Sequence, residues 1–274
     1  MVMSGVCVVT VAHGRHAHLR HQLRLLALSD PDSSHVVVAI DDHQIVSVVA
    51  EHRGVRHVDV LHCDSHQDGL PLAAARNVGV RHALSGGAEV IVLLDVDCVL
   101  APGALTAYAR AAAAHPSALL CGPVTYLPED VPVPHSPEAL HAVRRPHPAR
   151  PDPLPDTVLP HGNHNLFWSL SAAFTRATWR RIGGFCEDYV GYGGEDTDFA
   201  WVARSRGVHL MWVGGADAYH QHHPISSPPV EHVDAIVRNA LLFHQRWDAW
   251  PMLGWLHAFA ERGLLRFDGT TLSR

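Results

Sequence analysis

Asp95-Val96-Asp97 directly follows the most apolar stretch of the chain, Val90-Ile91-Val92-Leu93-Leu94. Ligands of open α/β sheets gather at the carboxyl ends of strands. Two carboxylates one residue apart at such an end can converge on one divalent cation. A hard cation accepts carboxylate and diphosphate oxygens together, and it can neutralise a departing nucleotide diphosphate as a Lewis acid. Taken singly the motif is weak, because Asp is common in the turns that follow strands.

Gly193-Gly194-Glu195-Asp196-Thr197-Asp198 offers a second chemistry. Acids in a first helical turn satisfy free N–H groups and complement the helix dipole, yet three acids after a glycine pair exceed what capping needs. Gly193 and Gly194 let a substrate approach the backbone, and an acid beside them can hold an acceptor hydroxyl and take its proton. Neighbouring helix positions diverge by about a hundred degrees, so Glu195 and Asp196 face different directions. The shorter, stiffer Asp196 is expected as the base, Glu195 as the acid that orients the acceptor, and Asp198 as a plain first-turn acid.

Three further places carry usable side chains. Tyr219-His220-Gln221-His222-His223 supplies imidazoles, which are common metal ligands. Its position just after a strand favours His220, with His222 and His223 as alternatives. Arg76, after three Ala residues, can clamp a phosphate bidentately or be an ordinary helix-surface Arg. Asp41-Asp42 can hydrogen-bond a base or ribose hydroxyls, or simply cap its own turn.

The elements that must position these residues alternate between strands and helices. Val6–Val11, Val36–Ile40, Val55–Leu61 and Val90–Leu94 read as strands, and His16–Leu28 and Ala73–Leu84 as helices, the latter closed by Gly86-Gly87. Continuous apolar runs joined by helices imply a parallel sheet covered on both faces. A helix to Ala114 is opened by Pro102. Strands are expected at 118–121, 166–174 and 209–213, with helices at 175–182 and 195–206. From Pro128 to Pro160 the chain is dense in Pro, His and Arg, a long connection that implies a mobile lid or a flexible excursion. Beyond Val233 the tail is helical, and Trp247, Trp250 and Trp255 with Leu241, Leu242, Leu253 and Leu256 offer an apolar face for the body of the domain or for a second copy.

Composition narrows the classes. Hydrophobic residues are 47% and charged residues 18% of the 274, which suits a folded core. The net charge of −6 argues against a nucleic-acid partner. The five Cys show no metal-type spacing and sit mostly in apolar runs, as small buried hydrophobes of a reducing cytoplasm do. Neither a signal peptide nor a membrane-spanning run is expected. Most of the 24 His read as solvated.

The order of the pieces resembles that of the GT-A glycosyltransferases: Val8-Val9-Thr10-Val11, Asp41-Asp42, Ala75-Arg76-Asn77-Val78-Gly79, Asp95-Val96-Asp97, Gly183-Gly184-Phe185, Gly193 to Phe199, then His220. It is similar to family 2 enzymes and to galactosyltransferase-like C-terminal segments. The resemblance implies an α/β fold with a mostly parallel sheet flanked by helices, over residues 1–232 with a Pro-rich flexible loop at 128–160, and a helical extension at 233–274. It also implies roles. Thr10, Ala12, Asp41, Asp42, Arg76, Asp95 and Val96 would line the nucleotide and its diphosphate. Asp97, Asp95 and His220 would hold Mn²⁺ or Mg²⁺. Gly193, Gly194, Glu195 and Trp168 would meet the acceptor, and Asp196 would be the base. The turn Ala12-His13-Gly14-Arg15 departs from the Pro- and Tyr-containing turn often seen in the family.

The expected activity is metal-dependent transfer of a hexose from a UDP- or GDP-sugar to a hydroxyl of a saccharide or small-molecule acceptor. Two other classes share some of these features: a catalytically silent module that binds nucleotide sugar or carbohydrate, and a nucleotidyltransferase. The second would want a basic, Gly-rich phosphate loop near the N-terminus, and Ala12-His13-Gly14-Arg15 has no Lys. A homodimer through the C-terminal helices is a further expectation.

Overall fold

The structure is a computed structural model that describes residues 5–52, 57–131, 133–134, 136, 138–224 and 226–274. Its first half alternates as the hydrophobic pattern requires: β1 (Val6–Ala12), α1 (His16–Ser29), β2 (Ser34–Ile40), α2 (Gln44–Ala50), β3 (Val58–Cys63), α3 (Leu72–Ser85) and β4 (Val90–Leu94). Next come β5 (Cys98–Leu100), α4 (Ala104–Ala114), β6 (Leu119–Cys121), β7 (Val124–Tyr126), β8 (Val158–His161), β9 (Ser171–Thr175), α5 (Arg176–Ile182) and α6 (Glu195–Ser205). The chain finishes with β10 (Leu210–Val213), β11 (Ala218–His220), α7 (Val233–Trp247), α8 (Leu253–Glu261) and a small hairpin, β12 (Arg266–Phe267) and β13 (Leu272–Ser273). The third expected strand begins in part outside the described residues, at Val55.

The central sheet runs β3-β2-β1-β4-β9-β6-β10-β8. β1 to β4 are parallel, as is β6 with β10, while β9 runs against both of its neighbours and β8 against β10. Alternate residues of each strand feed opposite faces, as a period of two demands. Val9, Val36, Val38, Ile91 and Leu93 pack under α3, α5 and α6 with Phe174, Trp179 and Phe199. Val8, Val92 and Leu94 pack on the other side against Leu105 and Tyr108 of α4, and Val37 and Ala39 against Leu19, Leu23, Ile45 and Val48 of α1 and α2. Each such side chain removed from water contributes about 1.5–3 kcal/mol. Close approach of α3 to the sheet depends on Gly79, because a Cβ there would lie 2.5 Å from Val9 Cγ1 and 2.9 Å from Val38 Cγ2.

A second, three-stranded sheet, β5-β11-β7, has no counterpart in the strand expectations. Its strands are only three residues each, too short for periodicity to reveal. Its register sets His220 opposite Cys98 on one side and Tyr126 on the other, so it gathers residues from three distant segments at one edge.

The Pro-rich segment is fastened to this frame. Pro146 bridges Thr125, and His147 N–H donates to Val124 O. Arg144 pairs with Asp217 (2.7 Å) and with Asp152, and Leu140 is buried. The tail folds back on its own chain. α7 and α8 share an apolar cluster of Ile236, Ala240, Leu256 and Phe259, flanked by Trp250 and Trp255, and Trp247 packs on Trp201 of α6. Among the described residues no helix is long and apolar enough to cross a membrane.

Candidate active site

β4 ends at Leu94, and the chain turns through Asp95-Val96-Asp97 into β5. Asp95 N–H donates to Leu170 O and Cys98 N–H to Asp95 O, which fixes the turn. β11 ends alongside it, and Gln221 N–H donates to Asp97 O at 2.7 Å. Two imidazoles therefore reach one carboxylate: His220 Nε2 is 3.6 Å from Asp97 Oδ1 and His223 Nε2 is 3.2 Å from Asp97 Oδ2. The three ligand atoms lie within 4.8 Å of one another. One carboxylate and two imidazoles form a donor set that suits Mn²⁺ or another divalent transition ion, so the residues fit the metal that the fold implies.

The surrounding groups keep these ligands in binding form. Burial holds His220 below the ordinary imidazole value, more strongly than Asp97 raises it, so the ring is neutral near pH 7. Burial raises the Asp97 carboxyl, but His223, His220 and Arg15 outweigh it and hold it ionised. His223 Nδ1 lies 3.1 Å from Arg15 Nη2 and 3.3 Å from Pro224 O. It can thus accept from the guanidinium or donate to the carbonyl, and the second tautomer frees Nε2 for a metal. The sequence favoured His220, with His222 and His223 as alternatives; the structure sets both His220 and His223 against Asp97. His222 is exposed, and only its carbonyl is engaged, by His18 at 3.2 Å.

Behind the ligands stands Gln22 of α1, fully buried. Its amide donates to the carbonyls of Asp95 and Cys98, both at 2.8 Å, and its oxygen accepts from Thr10 Oγ1 at 2.9 Å. Sequence reasoning passed over Gln22; a Gln at the buried spacing of Leu19, Leu23 and Leu26 was the available signal. Thr10, expected among the nucleotide contacts, has no exposed surface and spends its hydroxyl on Gln22 and His35. Ala12 and Val96 are core residues against Leu19.

Arg76 is the hub of the second half of the site. It reaches Glu195 Oε1 at 3.0 Å and Asp95 Oδ1 at 3.2 Å and is itself buried. Desolvation works against its charge, but Asp95 and Glu195 more than restore it. Burial raises the Asp95 carboxyl despite Arg76, with Asp97 adding to the rise. Asn77, one residue on, receives the N–H of Phe185 and donates to its carbonyl and to Glu187, which clips the Gly183-Gly184-Phe185 turn to α3.

At the start of α6 the three acids separate as the helical twist requires. Glu195 turns to Arg76. Asp196 is half-buried, accepts from Thr197 N–H at 2.7 Å and pairs with no cation among the described residues. Burial first, and then the neighbouring Glu195, push its carboxyl up to about 7, against the pull of Arg76. Asp198 is fully buried and belongs to the fold: Arg246 Nε (2.8 Å), Trp247 Nε1 (2.6 Å) and Tyr189 OH (3.3 Å) all reach Oδ1. It is an anchor for α7, not the plain first-turn acid expected.

The room beside Gly193 and Gly194, expected for a bound sugar, is filled by protein. A Cβ on Gly193 would meet Met252 Sδ at 2.8 Å, and one on Gly194 would meet Tyr189 Cε1 at 3.1 Å. The pair instead supplies two consecutive positive φ angles, 86° and 97°, at the turn that leads into α6, where Glu195 meets Arg76. Tyr192 feels the charge of Glu195, Asp196, Asp95 and Asp97, although burial is the main reason its phenol is pushed up to about 12.

The two Asp residues at the end of β2 divide their work. Asp42 accepts from Gly14 N–H (2.8 Å), His16 Nε2 (2.9 Å) and Gln44 N–H (3.0 Å), contacts that outweigh burial and hold its carboxyl below the usual range. It closes the turn that departs from the family pattern. Asp41 has a φ of 44°, is exposed and, among the described residues, its side chain accepts only from Ser65 Oγ at 2.9 Å. Trp168 stands beside His147, which in turn meets Tyr126, the neighbour of His220.

The sequence from residue 7 to 177, more than half of the chain, matches the family model described as glycosyl transferase family 2, and residues 160–224 match one described as the N-terminal domain of galactosyltransferase. A stretch of 42 residues, 15% of this chain, is 38% identical to validoxylamine A glucosyltransferase of Streptomyces hygroscopicus subsp. jinggangensis, and it spans a tenth of that relative. Among solved structures, S. aureus TarS 1-349 in complex with UDP-GlcNAc superposes with a TM-score of 0.58 at 15% identity over 86% of this chain, and 65% of TarS 1-349 is covered. GalNAc-T7 with UDP, GalNAc and Mn²⁺ gives 0.57 at 13% identity over 93% of this chain and 56% of that one. The fold is therefore GT-A, and the extent of the family match makes the chain a member of glycosyl transferase family 2.

Proposed function

We propose that the protein transfers a hexose from a UDP-sugar to a hydroxyl of a saccharide or small-molecule acceptor, with a divalent metal at Asp97, His220 and His223. The observation that carries this reading is the convergence of those three side chains where β5 begins and β11 ends. A bound ion there supplies Lewis-acid neutralisation of the leaving diphosphate. TarS and GalNAc-T7 were solved with UDP or a UDP-sugar, and this supports a UDP-sugar in preference to a GDP-sugar.

The chain's own residues divide the remaining work. Asp41 is the open carboxylate for the base. Arg76 keeps Glu195 and Asp95 in place beside the metal ligands. Asp196 takes the acceptor proton, because it is the acid of the helix start that no cation has claimed, and a base with a pKa near the working pH combines availability with driving force. Calorimetric titration of UDP with and without Mn²⁺, joined to a screen of UDP- and GDP-sugars by UDP or GDP release, tests the reading. Equal UDP affinity in EDTA, or no turnover of any nucleotide sugar, would overturn it.

A further inference from the structure

Arg150 lies in the Pro-rich segment, is only 4% exposed, and donates no hydrogen bond from Nε, Nη1 or Nη2 to any described residue. Its guanidinium is held between two indoles, 4.8 Å from the centre of Trp168 and 4.5 Å from that of Trp212. The Cys121 thiol, a weak acceptor, is close enough to feel its charge and its N–H groups. A slot that needed only filling would hold an apolar side chain, because removing a charge from water with no oxygen acceptor is costly. What favours Arg there is its flat cation, which stacks on ring faces as no aliphatic chain does.

Trp168 is the outer member of this sandwich and remains partly exposed. From it a chain of rings leads to the metal triad: Trp168 to His147 at 5.3 Å, His147 to Tyr126 at 5.7 Å, and Tyr126 to His220 at 4.7 Å. The strap that delivers Arg150 is stiff. Pro146, Pro148, Pro151, Pro153 and Pro155 punctuate it, and Gly214, whose Cβ would lie 1.9 Å from Leu154 O, lets it press against β10.

We propose that Arg150 is a positioning residue that locks the Trp168 indole as a stacking platform for a pyranose ring beside the metal triad. The proposal rests on the glycosyltransferase reading above. Sugar rings present C–H faces that pack on aromatic planes, and a ring held from behind pays no entropy of ordering when the sugar arrives. The pyranose can be that of the donor or of the acceptor, and the two give different signatures.

The test uses the full chain with Mn²⁺, in Trp168→Ala, Arg150→Met, Arg150→Lys and the Trp168→Ala/Arg150→Met double variant. Calorimetry with UDP alone should be unchanged in all four. If the platform serves the donor, UDP-sugar loses at least tenfold in affinity relative to UDP, and donor KM rises with it. If it serves the acceptor, acceptor KM rises tenfold and the UDP-sugar affinity stays. Arg150→Met should shift the same constant as Trp168→Ala, Arg150→Lys should not rescue it, and the double variant should lose little more than Trp168→Ala alone. Multiplying losses in the double variant would overturn the positioning role. Should Arg150→Met fail to fold, Trp168→Ala decides: both KM values untouched in an active protein would overturn the platform. Wild-type protein that turns over no nucleotide sugar would remove the functional reading and the platform with it.

Discussion

His223 approaches Asp97 Oδ2 to 3.2 Å while its other ring nitrogen stays within reach of both Arg15 and Pro224 O. The imidazole thus has one face for an ion and one for its own support. His223→Ala, His220→Ala and Asp97→Asn are each expected to abolish Mn²⁺-dependent UDP binding in calorimetry, whereas His222→Ala should bind as wild type. Wild-type affinity in His223→Ala would return the ligand role to His220 and Asp97 alone.

Asp196→Asn keeps shape and the contact to Thr197, so the variant should fold and bind UDP normally. Transfer should fall by about 10²–10⁴-fold, the usual contribution of a general base. Full activity would show that Asp196 only begins the helix.

The pH dependence follows in sign. The Asp196 carboxyl is pushed up to about 7, so the base is lost by protonation as pH falls through that value, and kcat/KM should drop on the acid side. For stability the direction reverses. A carboxyl that holds its proton longer in the folded state favours folding at low pH, and that contribution disappears as pH rises from about 4 toward 7. Asp196→Asn should therefore melt above wild type at pH 8, with the gap closing by pH 4, in thermal denaturation followed by circular dichroism.

Arg76→Met leaves Glu195 and Asp95 facing each other without their cation. Breaking a buried pair in this way costs about 3–5 kcal/mol, measurable by urea denaturation. Arg76→Lys keeps the charge but not the fork that serves two carboxylates, and an intermediate loss is expected.

Gly79→Ala should destabilise by about 1–3 kcal/mol, since α3 cannot retreat from Val9 and Val38 without unpacking the sheet face. Its loss should appear in the denaturation midpoint with no change in UDP affinity for the folded fraction.

Long apolar runs made the central strands and helices legible, and with them Asp95, Asp97, Arg76 and the acids of α6. The small sheet was not legible, because three-residue strands carry no period, and with it went the choice between His220 and His223. Gln22, Asn77 and Arg150 escaped for a different reason. Their roles exist only once distant segments meet: helical spacing marks Gln22 as buried, but not that it serves the carbonyls of Asp95 and Cys98. The glycine pair was read for what it leaves open, when its backbone angles and its packing partners Met252 and Tyr189 were what mattered.

The bond of Asp198 to Arg246 and Trp247 has a consequence for dissecting the molecule. A chain ending at residue 232 would strip a fully buried carboxylate of two of its three donors, at the head of the helix that carries Asp196. The last forty or so residues therefore cannot be traded between relatives as a detachable cassette. Any swap would have to bring its own Arg and indole to the same carboxylate, or replace that carboxylate together with them.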